Sequence, residues 1–235
     1  MPTQYFMVDS GRLSFAEYWR MSPNILVFSI AAIAKLFGGL PMTFSIPLVD
    51  RLHTLPFEFL PTPAREALAG PIAELESERF TLQFCLKLPV LEADRLACGA
   101  VLLSADGLTW SQLSFAQDPN FTQVALSCIS KFQDGTLRRV TTEKKQLQPH
   151  PDHVIIRCPG ASAKEIYETH LQYLRQWETE EIPIRLTPQA VREEILDLER
   201  KAIEFHVQRG VFVPMPPELI EELKESASHY RPDDE

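Results

Sequence analysis

The sequence predicts an α+β fold in which an N-terminal apolar helical segment precedes a mostly antiparallel meander sheet of about six strands, packed by C-terminal helices. Three observations lead to this prediction. An apolar run occupies residues 24–49. Alternating apolar residues and two Asp-Gly turns follow between residues 80 and 142, a pattern typical of β-hairpins. After residue 160 the apolar residues recur at helical spacing.

Length and composition indicate one compact unit with appended segments. The chain has 235 residues, of which 45% are hydrophobic and 23% charged, as in ordinary globular proteins. We divide it into an N-terminal flank (1–23), an apolar membrane-associated or core helical segment (24–49), an α+β domain (50–178) and a C-terminal helical extension with an acidic tail (179–235). The net charge is −9 and the acidic tail repels phosphate, so nucleic acid is not an expected partner.

The apolar run is a candidate for membrane contact. Lys35 is the only charged residue between Arg20 and Asp50. A bilayer core about 30 Å thick requires about 20 apolar residues in a helix. Trp19 lies just before the run, where aromatic side chains can sit at the level of the lipid headgroups. The residues expected to contact the membrane are Ile25, Leu26, Phe28, Ile30, Ile33, Leu36 and Phe37.

The run is divided by Gly38, Gly39 and Pro41, which favour a helix end near Leu40. Two membrane geometries are compatible with this division: a helix that continues through a kink towards Val49, or a re-entrant or interfacial hairpin of the two apolar halves. In a third interpretation, residues 25–40 form the central helix of a soluble core, apolar on all sides because it is covered on all sides.

A linker at 51–61 leads to a helix that begins at Thr62-Pro63 and is broken or kinked at Gly70-Pro71. Strands follow, joined by turns at Asp106-Gly107 and Asp134-Gly135, where glycine supplies the positive φ of a tight turn. The connections of hairpin length leave no room for crossovers. The expected strands are 80–88, 97–103, 108–115, 122–132, 136–142 and 153–158.

Helical signals dominate the C-terminal third. Ser162 and Glu165 form a capping box, and Thr187-Pro188 repeats the start signal for an amphipathic helix over 187–208. A last short acidic helix follows Pro216-Pro217. The apolar stripe of the helix 187–208 is either a contact with a protein partner or a second copy of the chain, or it packs on the chain's own sheet.

Motifs of common enzymes and cofactor sites are absent from the sequence. It contains no G-x-S-x-G, H-E-x-x-H, G-x-x-x-x-G-K or G-x-G-x-x-G pattern, so we expect no cofactor and favour a non-enzymatic role. The four cysteines lack C-x-x-C spacing, which favours buried thiols in a reducing compartment over a zinc ribbon.

The densest group of possible metal ligands is His150, Asp152 and His153, where two imidazoles and a carboxylate follow closely in sequence. Prolines bracket His150, and no further Cys or His lies nearby, so a solvated loop is the favoured interpretation and we expect no metal. His170 falls on the apolar stripe of its helix, where a hydrogen-bonded core histidine is expected.

Positive charge gathers around the second hairpin and could lie against anionic headgroups. The alternative is an exposed sheet edge kept soluble by its charge. The residues of this expected anionic-surface patch are Lys131, Arg138, Arg139, Lys144 and Lys145.

Together these patterns favour a membrane-associated, non-enzymatic binding or scaffolding protein whose soluble domain lies in the cytoplasm. The competing interpretation is a wholly soluble cytoplasmic α+β protein with an apolar ligand or substrate pocket between the sheet and the helices. The two differ in where the apolar run is sheltered.

Overall fold

A computed structural model describes residues 3–22, 25–36, 41–144, 147–178 and 181–229. Its helices are α1 (Phe15–Met21), α2 (Ile25–Leu36), α3 (Thr62–Ser77), α4 (Ala163–Trp177), α5 (Pro188–Gln208) and α6 (Pro217–His229). Its strands are β1 (Gln4–Asp9), β2 (Pro41–Leu48), β3 (Thr54–Leu55), β4 (Phe80–Lys87), β5 (Leu96–Ser104), β6 (Trp110–Asp118), β7 (Phe121–Lys131), β8 (Leu137–Thr141), β9 (His153–Arg157) and β10 (Phe212–Pro214). The α+β class is as predicted.

The larger sheet has seven strands in the order β3 to β9, each beside its neighbour in sequence. All pairs from β3 to β8 are antiparallel, whereas β8 and β9 are parallel. The prediction of a mostly antiparallel meander of about six strands therefore holds in part, because the sheet has seven strands and its last pair is parallel. The short β3 lies in the segment read as a linker. Strand β9 starts beside the first residue of β8, with His153 opposite Leu137, so the two strands run in the same direction.

Helices cover both faces of this sheet. On one face α3 and α4 pack over a core that includes Leu68, Leu113 and Trp177. On the other face α5 packs through Val191 and Ile195 onto a second core. The apolar stripe of α5 is thus buried within the chain in this region. Its use as a partner contact stays a prediction.

A second, three-stranded antiparallel sheet has the order β10, β1, β2. Pro41–Leu48 is one of its strands, so the expected helix that continues through a kink towards Val49 is corrected. Among the described residues of the run, Ile25–Leu36 is helix and Pro41–Leu48 is strand. A third core joins this sheet to α1, α2 and the end of α5, with Val8, Leu13 and Ile203 buried together. The N-terminal residues are therefore part of the fold's packing.

Local start signals act as predicted. Ser162 and Glu165 exchange the two hydrogen bonds of a capping box at α4, and the Thr187 hydroxyl caps α5. Gly107 and Gly135 both have positive φ. Gly70-Pro71, where a break or kink was predicted, does not divide the helix: Pro71 lies inside one continuous α3. Among the described residues, no helix is both long and apolar enough to cross a membrane.

Candidate functional site

Helix α2 carries an exposed apolar surface. Its aliphatic side chains Ile25, Leu26, Ile30 and Ile33 are between 55% and 68% exposed, and only Ala31 among the described side chains of α2 is buried. Phe28, also expected to contact a membrane, is partly covered by the core beside it. The other two expected residues are Leu36 and Phe37. Leu36 ends the helix, but its side chain is not among those described, and Phe37 lies outside the described residues. The interpretation of α2 as a helix covered on all sides does not hold.

Helix α1 extends this surface. A capping box between Ser14 and Glu17 fixes the start of the helix. Phe15 and Trp19, one turn apart, are then left about half exposed. The Trp19 ring meets Phe28 of α2 edge to face with centroids 5.0 Å apart. Trp19 was expected at this surface from the sequence, whereas Phe15 was not, although residues four apart share one side of a helix.

We call the exposed surface of α1 and α2 the apolar face. It comprises Phe15, Trp19, Ile25, Leu26, Ile30 and Ile33.

The two polar side chains of α2 are hydrogen-bonded to backbone carbonyls. The Ser29 hydroxyl donates to the Ile25 carbonyl at 2.8 Å. Lys35 Nζ donates to the Gly11 carbonyl at 2.6 Å and lies 5.6 Å from the Phe15 ring centroid. The one cation of the run is therefore bound back onto the segment before α1, and the apolar face has no charged member.

A buried ion pair holds α1 in place beneath this face. The Glu17 side chain has no exposed surface, and Arg209 donates to both of its oxygens at 2.9 Å. Burial favours the neutral carboxyl, but hydrogen bonds from the Ser14 and Gln148 amides, the Ser14 hydroxyl and Arg209 outweigh burial and lower the pKa of Glu17 to about 2. The carboxylate is thus ionised and fixed.

The basic residues expected to form an anionic-surface patch do not share one exposed surface. Lys131 pairs with Glu194, and Arg138 is buried with its guanidinium 4.4 Å from the Phe132 ring centroid. Lys144 is exposed, and Lys145 lies outside the described residues. Arg139 points to the opposite face of the sheet from Arg138, as alternation along β8 requires, and takes part in a different site.

The metal-ligand candidates lie in a turn at the start of β9. The Asp152 amide donates to His150 Nδ1 at 3.2 Å, and the rings of His150 and His153 are 5.4 Å apart between centroids. Burial and the neighbouring His150 lower the pKa of His153 to about 4, so its ring is neutral at pH 7. Within the described ranges, no group of three or more His, Cys, Asp or Glu side chains is arranged to hold a metal ion.

His170 is fully buried between α4 and β7, as expected for a core histidine. Its Nε2 is 2.9 Å from the Ser130 hydroxyl, which in turn is 3.1 Å from the Thr109 hydroxyl. Burial lowers the pKa of His170 to about 3. Because both Ser130 and His170 have no exposed surface, a substrate cannot reach this pair without local unfolding.

A polar cavity of about 420 Å³ lies between the α5 side of the larger sheet and α5 itself. Strands β8 and β9 contribute Arg139, His153 and Arg157, and α5 contributes Glu199 and His206. This site was not predicted as a unit, because its members come from separate elements. Arg139, Lys144, His150 and His153 were each singled out in the sequence, but for other roles. No short motif unites them.

Two features of the described residues thus point to binding. The apolar face has no charged member and draws its exposed side chains from α1 and α2. The polar cavity brings together charged side chains from three elements. Comparisons of the chain with protein-family models, with curated proteins and with solved structures find no match.

Proposed function

We propose that this chain binds reversibly to a membrane surface through the apolar face and acts there as a non-enzymatic binding or scaffolding protein. One observation carries the proposal: the most apolar helix of the chain leaves four large aliphatic side chains exposed. Single exposed apolar residues are ordinary, but a contiguous exposed patch marks an interaction surface.

The chemistry of α2 favours lipid as the occupant of this patch. Apart from the Trp19 indole, the apolar face offers a polar protein partner no charged or hydrogen-bonding side chain, because the two polar side chains of α2, Ser29 and Lys35, already donate to backbone carbonyls. In hydrocarbon, by contrast, satisfied polar groups are a requirement. The half-exposed Trp19 beside the helix suits the headgroup region, where aromatic side chains with one polar atom concentrate.

The dimensions favour a helix that lies in the interface. Twelve residues at about 1.5 Å per residue give a helix about 18 Å long, well short of a bilayer core of about 30 Å. An interfacial helix buries its apolar side about 5–10 Å into the boundary between headgroups and acyl chains. In this orientation β10, β1 and β2 lie behind α2 and join the face to the rest of the chain.

The energy of contact is consistent with reversible attachment. Burying the exposed part of Ile25, Leu26, Ile30 and Ile33 is worth about 4–7 kcal/mol, at about 1.5–3 kcal/mol for each fully buried side chain. That range is similar to the binding of a single myristoyl chain, which is marginal on its own. We place the soluble part on the cytoplasmic side, because four widely spaced cysteines that are all free thiols favour a reducing compartment.

Co-sedimentation with vesicles of phosphatidylcholine and phosphatidylserine tests the proposal. Wild-type protein should pellet with the vesicles, and Ile33→Asp should remain in the supernatant. The matched control is Ile182→Asp, because Ile33 and Ile182 are both 59% exposed and Ile182 lies outside the apolar face. Equal binding of the two variants, or no binding by the wild type, would overturn the proposal. Binding of the wild type to a protein in place of vesicles would have the same effect.

A further inference from the structure

Three arginines converge where α1, the larger sheet and α5 meet. Arg139 lies on β8 and Arg157 on β9, and the parallel register sets Thr141 opposite Arg157. Side chains two apart on a strand share a face, so Arg139 and Arg157 both point to the α5 side of the sheet. Both line the polar cavity. Arg20, on α1, lines an adjoining concavity that shares its His150 and His153 wall.

The arginines differ in how they are paired. Arg139 is satisfied, since its Nε donates to the Ser127 hydroxyl at 2.8 Å and its Nη2 pairs with Glu143 at 2.8 Å. Arg157 and Arg20 each have a buried Nε without a hydrogen-bond partner in the part of the chain that the structure describes. A buried donor without a partner costs about 1–3 kcal/mol, more when it is charged.

Like charge adds to this cost. Burial lowers the pKa of Arg157, and the positive charges of Arg139 and Arg20 act in the same direction, while Glu143 opposes them. Glu143 is already paired with Arg139, so Arg157 and Arg20 lie in a region of uncompensated positive charge. Such a region is stabilised by an added anion.

The remaining wall of the cavity is compatible with an anion. His153 and His206 have pKa values lowered to about 4, chiefly by burial, so both rings are neutral at pH 7. Glu199 is the other acid in the cavity, and burial raises its pKa against the opposing effect of Arg139. Lys144 adds a further positive charge at the rim.

We propose that Arg157 and Arg20, with Arg139 beside Arg157 in the wall of the polar cavity, bind a phosphate group where this cavity meets the concavity lined by Arg20. The guanidinium fork matches phosphate geometry, and two forks from different elements can hold one phosphate from two sides. The volume exceeds that of phosphate alone, so the group belongs to a small phosphorylated molecule or to a lipid headgroup. Arg20 and Trp19 of the apolar face both lie on α1, so a lipid headgroup is one source to be tested. The site does not depend on membrane contact.

The first experiment is calorimetric titration of the full chain with inorganic phosphate at constant ionic strength, with chloride as the reference anion. Wild type should bind one phosphate, and Arg157→Gln should lose at least about tenfold in affinity, the loss expected for hydrogen bonds between charged groups. Arg157→Lys should recover part of it. Arg200→Gln is the matched control, because Arg200 is an exposed arginine of α5 whose contact is with Asp197. If Arg157→Gln does not fold, Arg20→Gln takes its place with the same expected loss.

The second experiment identifies the source of the phosphate with vesicles matched in surface charge, containing either phosphatidic acid or phosphatidylserine. A preference for phosphatidic acid that disappears in Arg157→Gln, and persists in Arg200→Gln, assigns the site to a headgroup. Phosphate binding in solution without such a preference assigns it to a free ligand. If the protein neither binds phosphate in solution nor prefers phosphatidic acid, the phosphate site is overturned. The membrane proposal would still stand in that case if Ile33→Asp abolishes vesicle binding and Arg157→Gln does not.

Discussion

Arg209 donates through Nη2 to both carboxylate oxygens of Glu17 at 2.9 Å, although 192 positions separate the two residues. The contact joins α1 to the C-terminal end of α5. Glu17 also accepts from the Gln148 amide, so three distant segments meet at one carboxylate. Because Glu17 belongs to the helix that carries Phe15 and Trp19, this ion pair fixes the apolar face to the body of the protein.

Replacement of Arg209 by alanine should destabilise the fold strongly. The change leaves the fully buried Glu17 carboxylate without its cation, which costs about 3–5 kcal/mol in free energy of unfolding. Arg200→Ala removes an exposed arginine from the same helix and should change stability by about 0.5 kcal/mol or less. Urea unfolding of both variants measures the difference. Equal free energies of unfolding would show that the buried pair contributes nothing.

Stability should fall below about pH 6.5, partly through His170. A histidine in the unfolded chain has a pKa of about 6.5, and burial lowers that of His170 to about 3. The native state therefore binds the proton less well than the unfolded state. The contribution of neutral His170 to the free energy of unfolding is complete above pH 6.5 and is lost as the pH falls towards 3. Glu17, with its pKa lowered from 4.5 to about 2, adds a second loss that begins near pH 4.5.

His170→Gln tests this assignment, because the amide can still hydrogen-bond to Ser130 but does not titrate. Between pH 6 and 5 the pH dependence of the free energy of unfolding should become shallower by about 1.4 kcal/mol per pH unit. His153 and His206 remain in the variant and retain their own contributions. An unchanged slope would contradict the role of His170.

The two Asp-Gly turns should respond differently to alanine. Gly107 and Gly135 both have positive φ, so alanine at either costs about 1–2 kcal/mol in backbone strain. A Cβ at Gly107 would also lie 2.8 Å from the Leu186 carbonyl oxygen, whereas a Cβ at Gly135 meets nothing within 4 Å. We expect Gly107→Ala to lower the melting temperature more than Gly135→Ala. The reverse order would mean that the turn does not pack on residue 186.

Thiol reactivity should separate the cysteines. Burial raises the pKa of Cys85 to about 11 and that of Cys128 to about 12, and raises that of Cys98 as well, so little thiolate is present at pH 8. Cys158 is only partly buried. Mass spectrometry after brief treatment with iodoacetamide should find Cys158 modified first, and all four modified in urea. Modification of Cys128 at the same rate as Cys158 in native protein would contradict this order.

Local chemistry in the sequence was enough to place the larger sheet and the C-terminal helices. The Asp-Gly turns set the hairpins, and the Ser162 and Glu165 box set the start of α4, because each acts over a few residues. Such local signals could not predict which distant segments of the chain pair with each other. Strand β2 pairs with β1, although α1 and α2 lie between them in the sequence. Its apolar residues Met42, Phe44, Ile46 and Leu48 do recur at every second position, but they continue the apolar run of α2 and were grouped with it.

The apolar face and the polar cavity could be predicted from the sequence to different degrees. Most members of the apolar face lie in the run that has Lys35 as its single charge, so they were predicted by residue number. The basic patch was grouped by closeness in sequence, but alternation along β8 sends Arg138 and Arg139 to opposite faces of the sheet. The polar cavity depends on the parallel pairing of β8 with β9, and its junction with Arg20 depends on the approach of α1; neither has a signature in the sequence.

The fluorescence of Trp19 tests the membrane proposal most directly, because Trp110 and Trp177 are both buried. With vesicles, emission should shift to shorter wavelength, and lipids brominated near the headgroup end of the acyl chain should quench it more than lipids brominated near the chain end. A Trp19→Phe variant should lose the whole response. If vesicles leave the emission of Trp19 unchanged, the apolar face does not contact lipid and the account of this chain as a membrane-surface protein is wrong.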